Sequence, residues 1–131
     1  MIAIQAMDHE LLRLCPVDLA LNIASMQEMD TPVISAYFED LRAIASQRQL
    51  ASYCCNREEN RLPDGTVTRF SEYPWNSSDI ITVDELCPWH QQYYVFRIPA
   101  YRLYDGPIRH RLATLQIIAK NQEHLQEHLY E

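Results

Sequence analysis

The sequence predicts an α+β fold in one compact domain spanning residues 1–131, with helices at both ends and an antiparallel β-meander between them. Three observations carry that prediction. A chain of 131 residues with 47% hydrophobic composition has the size of one core and is too short for two. Apolar residues recur at steps of three and four near both ends, whereas β-branched and aromatic residues concentrate in the middle.

The first helix is expected over residues 8–14, with Asp8 as its cap and "HELLRL" as its body. Pro16 then ends that helix or opens a second, over 16–29, that places Leu19, Ile23 and Met26 on one face. A third is expected over 32–48. It has the clearest start, with Asp30 and Thr31 as capping residues, Pro32 in the first turn, and Ile34, Phe38, Leu41 and Ala45 along one stripe. Strands follow over 50–56, 66–73 and 92–99, with a short additional strand at 80–83. Between the first two, Pro63-Asp64-Gly65 reads as a turn, because proline fixes one φ and glycine accepts the positive φ that follows. Asp105-Gly106-Pro107 opens a long C-terminal helix over 107–128, with Ile108, Leu112, Leu115, Ile118, Leu125 and Leu129 along one side.

Eleven Lys plus Arg against 18 Asp plus Glu give a formal net charge of -7, the opposite of a protein that coats nucleic acid by neutralising phosphates. The charge is uneven. Residues 1–46 carry two arginines against seven carboxylates (2 - 7 = -5), including Glu28, Asp30, Glu39 and Asp40, whereas residues 97–111 carry four arginines against Asp105 (4 - 1 = +3). The short apolar start "MIAIQAM" lacks a basic region, and no apolar run approaches a bilayer span, so no signal peptide and no membrane association are expected. Four cysteines in a domain with a normal apolar fraction call for no disulfide framework; reduced thiols and a cytoplasmic location are the expectation. Two glycines cannot make a phosphate-cradling loop, and the nucleophile-elbow, HExxH and paired CxxC patterns are missing.

Three constellations remain. In "CPWH", Cys87 and His90 have the spacing of two zinc ligands, with Cys54 or Cys55 conceivable as a third, or of a thiol nucleophile and its base. Cys54 and Cys55, being adjacent on a strand, must point to opposite faces. Pro88 and Trp89 make a packed turn the simpler account, and the neighbouring Asp84 and Glu85 disfavour a thiolate. No resident cofactor is expected; zinc is the metal this set would take. His124 and His128, four apart on the expected last helix, form a weaker pair of metal ligands, and a solvated helix face is the bland alternative. Arg97, Arg102, Arg109 and Arg111 with Tyr101 and Tyr104 form an island able to receive a small anion, a carboxylate surface or a stacked base, or simply to pair with the acidic N-terminal helices.

Eight tyrosines, two tryptophans and a single lysine, Lys120, resemble the bias of interaction surfaces. The functional expectation is a small regulator, adaptor or inhibitor that binds another protein, one with a basic surface, through its acidic helices and Arg/Tyr-rich segment. A homodimer through the C-terminal helix accompanies it, with Gln122 as a register-setting polar residue. A metal- or thiol-dependent enzyme using Cys87 and His90 is the first alternative, and a binder of a small anion or nucleic acid through residues 97–111 the second.

Overall fold

The computed structural model describes residues 3–89, 92–94, 101–103 and 106–117, with backbone pairing alone for 92–94 and 101–103. The fold is α+β. Among the described residues one α-helix, α1 (Thr31–Ala45), lies with three 3-10 segments against a mixed four-stranded sheet. Its strands are β1 (Leu19–Ile23), β2 (Ala51–Arg57), β5 (Ile80–Leu86) and β8 (Ile108–Thr114), in the order β1-β2-β8-β5. Two hairpins complete the set: β3 (Glu59–Arg61) with β4 (Val67–Arg69), and β6 (Gln92–Tyr94) with β7 (Tyr101–Leu103).

The helix α1 forms for local reasons. The Asp30 side chain accepts a hydrogen bond from the Val33 amide at 3.2 Å, and Pro32 sits in the first turn, where a missing N–H costs nothing. The apolar stripe then buries Ile34, Phe38 and Ile44, each contributing about 1.5–3 kcal/mol through burial. Phe38 joins Met26, Cys54, Phe70 and Tyr73 in one core cluster, and Ile44 joins Leu50, Ala113 and Leu115 in another.

Three sequence expectations are corrected. The segment 16–29 is not a helix. Leu19–Ile23 pairs in parallel with β2, Leu19 opposite Ala51 and Ile23 opposite Cys55, and Ala24 turns the chain with φ +57 before a 3-10 turn at Met26–Glu28. The start of the long C-terminal helix is likewise a strand. Ile108–Thr114 runs antiparallel to both β2 and β5, at the centre of the sheet. Ile108, Leu112 and Leu115 fit a helical stripe, but Ile108, His110 and Leu112 equally fit the two-residue period of a strand, and two flanking strands settle the choice. Residues 115–117 follow without helix, and Leu115, the first residue of the proposed dimer seam, is buried in the core; the rest of the expected helix, from 118 on, lies outside the described residues. The sheet is therefore mixed, not a purely antiparallel meander.

Smaller departures follow the same logic. Residues Ala6–Leu14 form a 3-10 segment in which Asp8 is a kink (φ -107, ψ 23) and not a cap. The expected helix over 32–48 ends at Ala45. The turn at Pro63-Asp64-Gly65 is present: Gly65 takes φ +90, and the Thr66 amide donates to the Asp64 carboxylate at 2.9 Å. It joins β3 to β4, however, rather than the strands expected over 50–56 and 66–73. The short strand expected at 80–83 is the full-length β5.

Candidate functional site

Alternation along the strands assigns each sheet residue to one of two faces. Ser52, Cys54 and Asn56 on β2, with Arg109, Arg111 and Ala113 opposite them on β8, share the inner face with α1. Ala51, Tyr53 and Cys55, opposite Thr114, Leu112 and His110, share the outer face, as do Leu19, Leu21 and Ile23 of β1. Cys54 and Cys55 accordingly point apart, as strand geometry requires. Cys54 enters the core under α1, whereas Cys55 packs with Cys87 and Ile108.

On the outer face the thiol of Cys55 shares a hydrogen bond with Cys87, and burial pushes the Cys55 pKa up to about 11. Cys87 is fully buried, its amide donating to the Ile108 carbonyl at 2.9 Å. Beside them the Tyr53 hydroxyl meets His110 Nδ1 at 3.1 Å, and burial pushes the phenol up to about 12. Trp89 stands edge-on to His110, with ring centroids 5.3 Å apart, while remaining 72% exposed. This neighbourhood holds the three described residues of the CPWH motif, 87–89; His90 lies outside the described residues. None of the four cysteines is in a disulfide, and no group of three or more His, Cys, Asp or Glu among the described residues is arranged to hold a metal ion.

The basic island is divided. Arg97 and Tyr104 lie outside the described residues, as do His124 and His128, and Tyr101 and Arg102 are described only as the paired backbone of β7. Arg109 and Arg111 sit on β8 and are already neutralised. Arg109 donates to Glu58 at 2.8 Å and to Asp84 at 3.1 Å, and Arg111 donates to Asp84 at 2.6 Å while its guanidinium lies 4.8 Å from the Trp75 ring centre. Burial pulls the Asp84 carboxyl upward, but the hydrogen bonds from the two arginines outweigh it and hold its pKa below the ordinary carboxylate value. The arginines thus meet Glu58 and β5, not the acidic N-terminal segment.

The acidic set is divided too. Glu28 and Glu39 are exposed, and Asp30 is exposed but occupied as the helix cap. Asp40 is fully buried, accepting from Arg13 Nε at 2.6 Å and paired with His9, so it fastens the N-terminal 3-10 segment to α1 and presents no charge to a partner.

Sequence reasoning missed one open apolar feature, the edge strand β1. Leu19, Leu21 and Ile23 are 51%, 65% and 56% exposed on the outer face. The backbone groups of those same three residues point away from the sheet: the Asp18 carbonyl and the Ala24 amide bond to β2, and alternation turns the odd-numbered positions outward. The strand has no charge, no proline and no register shift against β2. Its signal was present as the two-residue alternation Leu19, Leu21, Ile23, but Leu19, Ile23 and Met26 also satisfy a helical stripe. No helix among the described residues is long and apolar enough to cross a membrane. A scan against protein-family models, a search of curated proteins and a search of solved structures return no match, so the geometry of the chain itself carries the functional argument.

Proposed function

We propose that this chain is a non-catalytic interaction protein, a regulator, adaptor or inhibitor, which binds another protein by accepting an extended segment onto the open edge of β1. The observation that carries this reading is the coincidence on one short strand of outward-facing backbone groups and three exposed apolar side chains, Leu19, Leu21 and Ile23. In strand addition the main-chain hydrogen bonds supply affinity and alternate side chains supply specificity, and both halves of that recognition are available here. The burial of Cys87 also favours binding over thiol catalysis, since a nucleophile must reach its substrate.

The test compares three forms of the chain as bait in the same extract: wild type, Leu21→Lys on β1, and Thr82→Lys on the opposite edge. The Leu21→Lys form should retain at least about tenfold less partner, while Thr82→Lys should bind like wild type. In the purified complex the amides of Leu19, Leu21 and Ile23 should gain protection from hydrogen exchange. Equal capture by all three forms, or protection confined to other strands, would sink the proposal. Sedimentation of the chain alone reports whether that partner is a second copy.

A further inference from the structure

Beneath β1, on the opposite side of the sheet from the surface just described, the helix, the N-terminal 3-10 segment and the strands enclose a cavity of about 230 Å3. Its walls are apolar: Leu12 and Val17 close one side, and Phe38, Leu41 and Ile44 of α1 close another. Leu21, which is 65% exposed, also lines it, so the cavity reaches the surface beside the edge strand. An apolar cavity gives water few partners, and one of about 150 Å3 is large enough to hold benzene. By proportion this one accommodates about nine non-hydrogen atoms.

The polar groups on its lining restrict what those atoms can be. Asn22 is occupied, its carbonyl accepting from the Met26 amide at 3.2 Å and from Asn56 Nδ2 at 3.0 Å, and its amide donating to Ser25 at 2.6 Å. Cys54 accepts from Asn56 Nδ2 at 2.9 Å, and burial pushes its thiol up to about 12, so it carries no charge near neutrality. Ser52 differs. It is 5% exposed, lines the cavity, and its hydroxyl makes no hydrogen bond among the described residues. Ser52 Oγ is not among the buried polar atoms left without a partner, so it stays reachable from the cavity, where a ligand able to donate to it or accept from it can take the place of water. Among the described residues no lysine, arginine or histidine lines the cavity, so none of them compensates a ligand carboxylate or phosphate removed from water.

We infer that this cavity binds a neutral, largely apolar small molecule of about nine non-hydrogen atoms, bearing one hydrogen-bonding group that meets Ser52. The site shares Leu21 with the outward edge of β1 but lies on the other face of the sheet, so either assignment can fail without the other.

The experiment titrates the 15N-labelled chain with 1-octanol, which has the required size and one hydroxyl, and with octanoate, which differs chiefly in its charge at neutral pH. Octanol should shift the amides of Ala20, Leu41 and Ser52 saturably, and octanoate should bind at least about tenfold more weakly. Ala20→Phe, which fills the cavity, should abolish the octanol response; Ala20→Met serves the same purpose if the larger ring prevents folding. Ser52→Ala should weaken octanol about fivefold, the worth of one net hydrogen bond. Absence of a saturable shift, an undiminished response in a folded cavity-filling variant, or equal affinity for octanoate would overturn the assignment.

Discussion

The two edges of the four-stranded sheet are built differently. On β5 the register against β8 shifts between Ile81 and Val83, and the strand continues into Asp84 and Glu85. Its start is fastened by Asp79, whose carboxylate accepts from both terminal guanidinium nitrogens of Arg42 as well as from the amides of Asn76 and Gln116. A bulge and charges are the devices by which sheets discourage added strands. Across the sheet, β1 has neither, and among the described residues its backbone pairs only with β2. Both edges expose apolar side chains, Ile80, Ile81 and Leu86 on β5 as well as Leu19, Leu21 and Ile23 on β1, so the contrast rests on the bulge and charges of β5, and that contrast is the basis of the functional proposal.

The largest expected effect lies on the guarded side. Asp79 is buried and joins α1, the turn before β5 and the segment after β8, so Asp79→Ala strands Arg42 among groups that cannot replace it. A loss of about 3–5 kcal/mol in urea unfolding is expected, the range for breaking a buried pair from one side. A loss below about 1 kcal/mol would mean that β5 is held by its strand pairing alone and would erase much of the contrast.

A smaller effect is expected where β1 is anchored. Asn56 is fully buried, accepts from the Gln27 amide at 3.2 Å and donates to Asn22 at 3.0 Å, linking β2 to the turn that leaves β1. Asn56→Ala should cost about 1–3 kcal/mol by leaving those groups unsatisfied. Hydrogen exchange should accelerate at Asn22 and Ala24 before β5 responds. Uniform acceleration across the sheet would show that the two edges open as one unit.

The smallest effect is in pH dependence, and it sharpens the same comparison. Burial raises and Arg42 and Arg111 more strongly lower the pKa values of Asp79 and Asp84, respectively, leaving both below the ordinary carboxylate value. A depressed folded pKa contributes stability that is complete above the unfolded value, near 4, and is lost as pH falls through the folded value. Amide shifts along β5 should therefore change below about pH 4, ahead of those of Leu19–Ile23, a strand without a titrating side chain. Simultaneous change at both edges would indicate global acid unfolding instead.

How much of this was legible from the residues depended on how local each cause was. Asp30, Pro32 and the stripe from Ile34 to Ala45 specify α1 through contacts within a few positions, and only its last turn was overextended. Pro63-Asp64-Gly65 likewise carried its own turn, although it could not say which strands the turn would join. The edge strand was hidden because Leu19, Ile23 and Met26 serve a helical period as well as a strand period, and pairing with β2 lies about thirty positions away. The charged residues were hidden for a related reason. Nothing near Asp40 reveals that Arg13 and His9 will close over it, or near Arg111 that Asp84 will take its charge.

By itself, then, the sequence determined the α+β class, the helix α1, the strand β2 with its two cysteines pointing apart, and the glycine turn, because capping, periodicity and backbone sterics act over short separations. Tertiary structure alone decided that Leu19–Ile23 and Ile108–Thr114 are strands, that one edge of the sheet is guarded and the other open, and that Ser52 faces an apolar cavity. Those outcomes depend on which distant segments share a sheet, and long-range pairing overrides local preference wherever the local preference is divided.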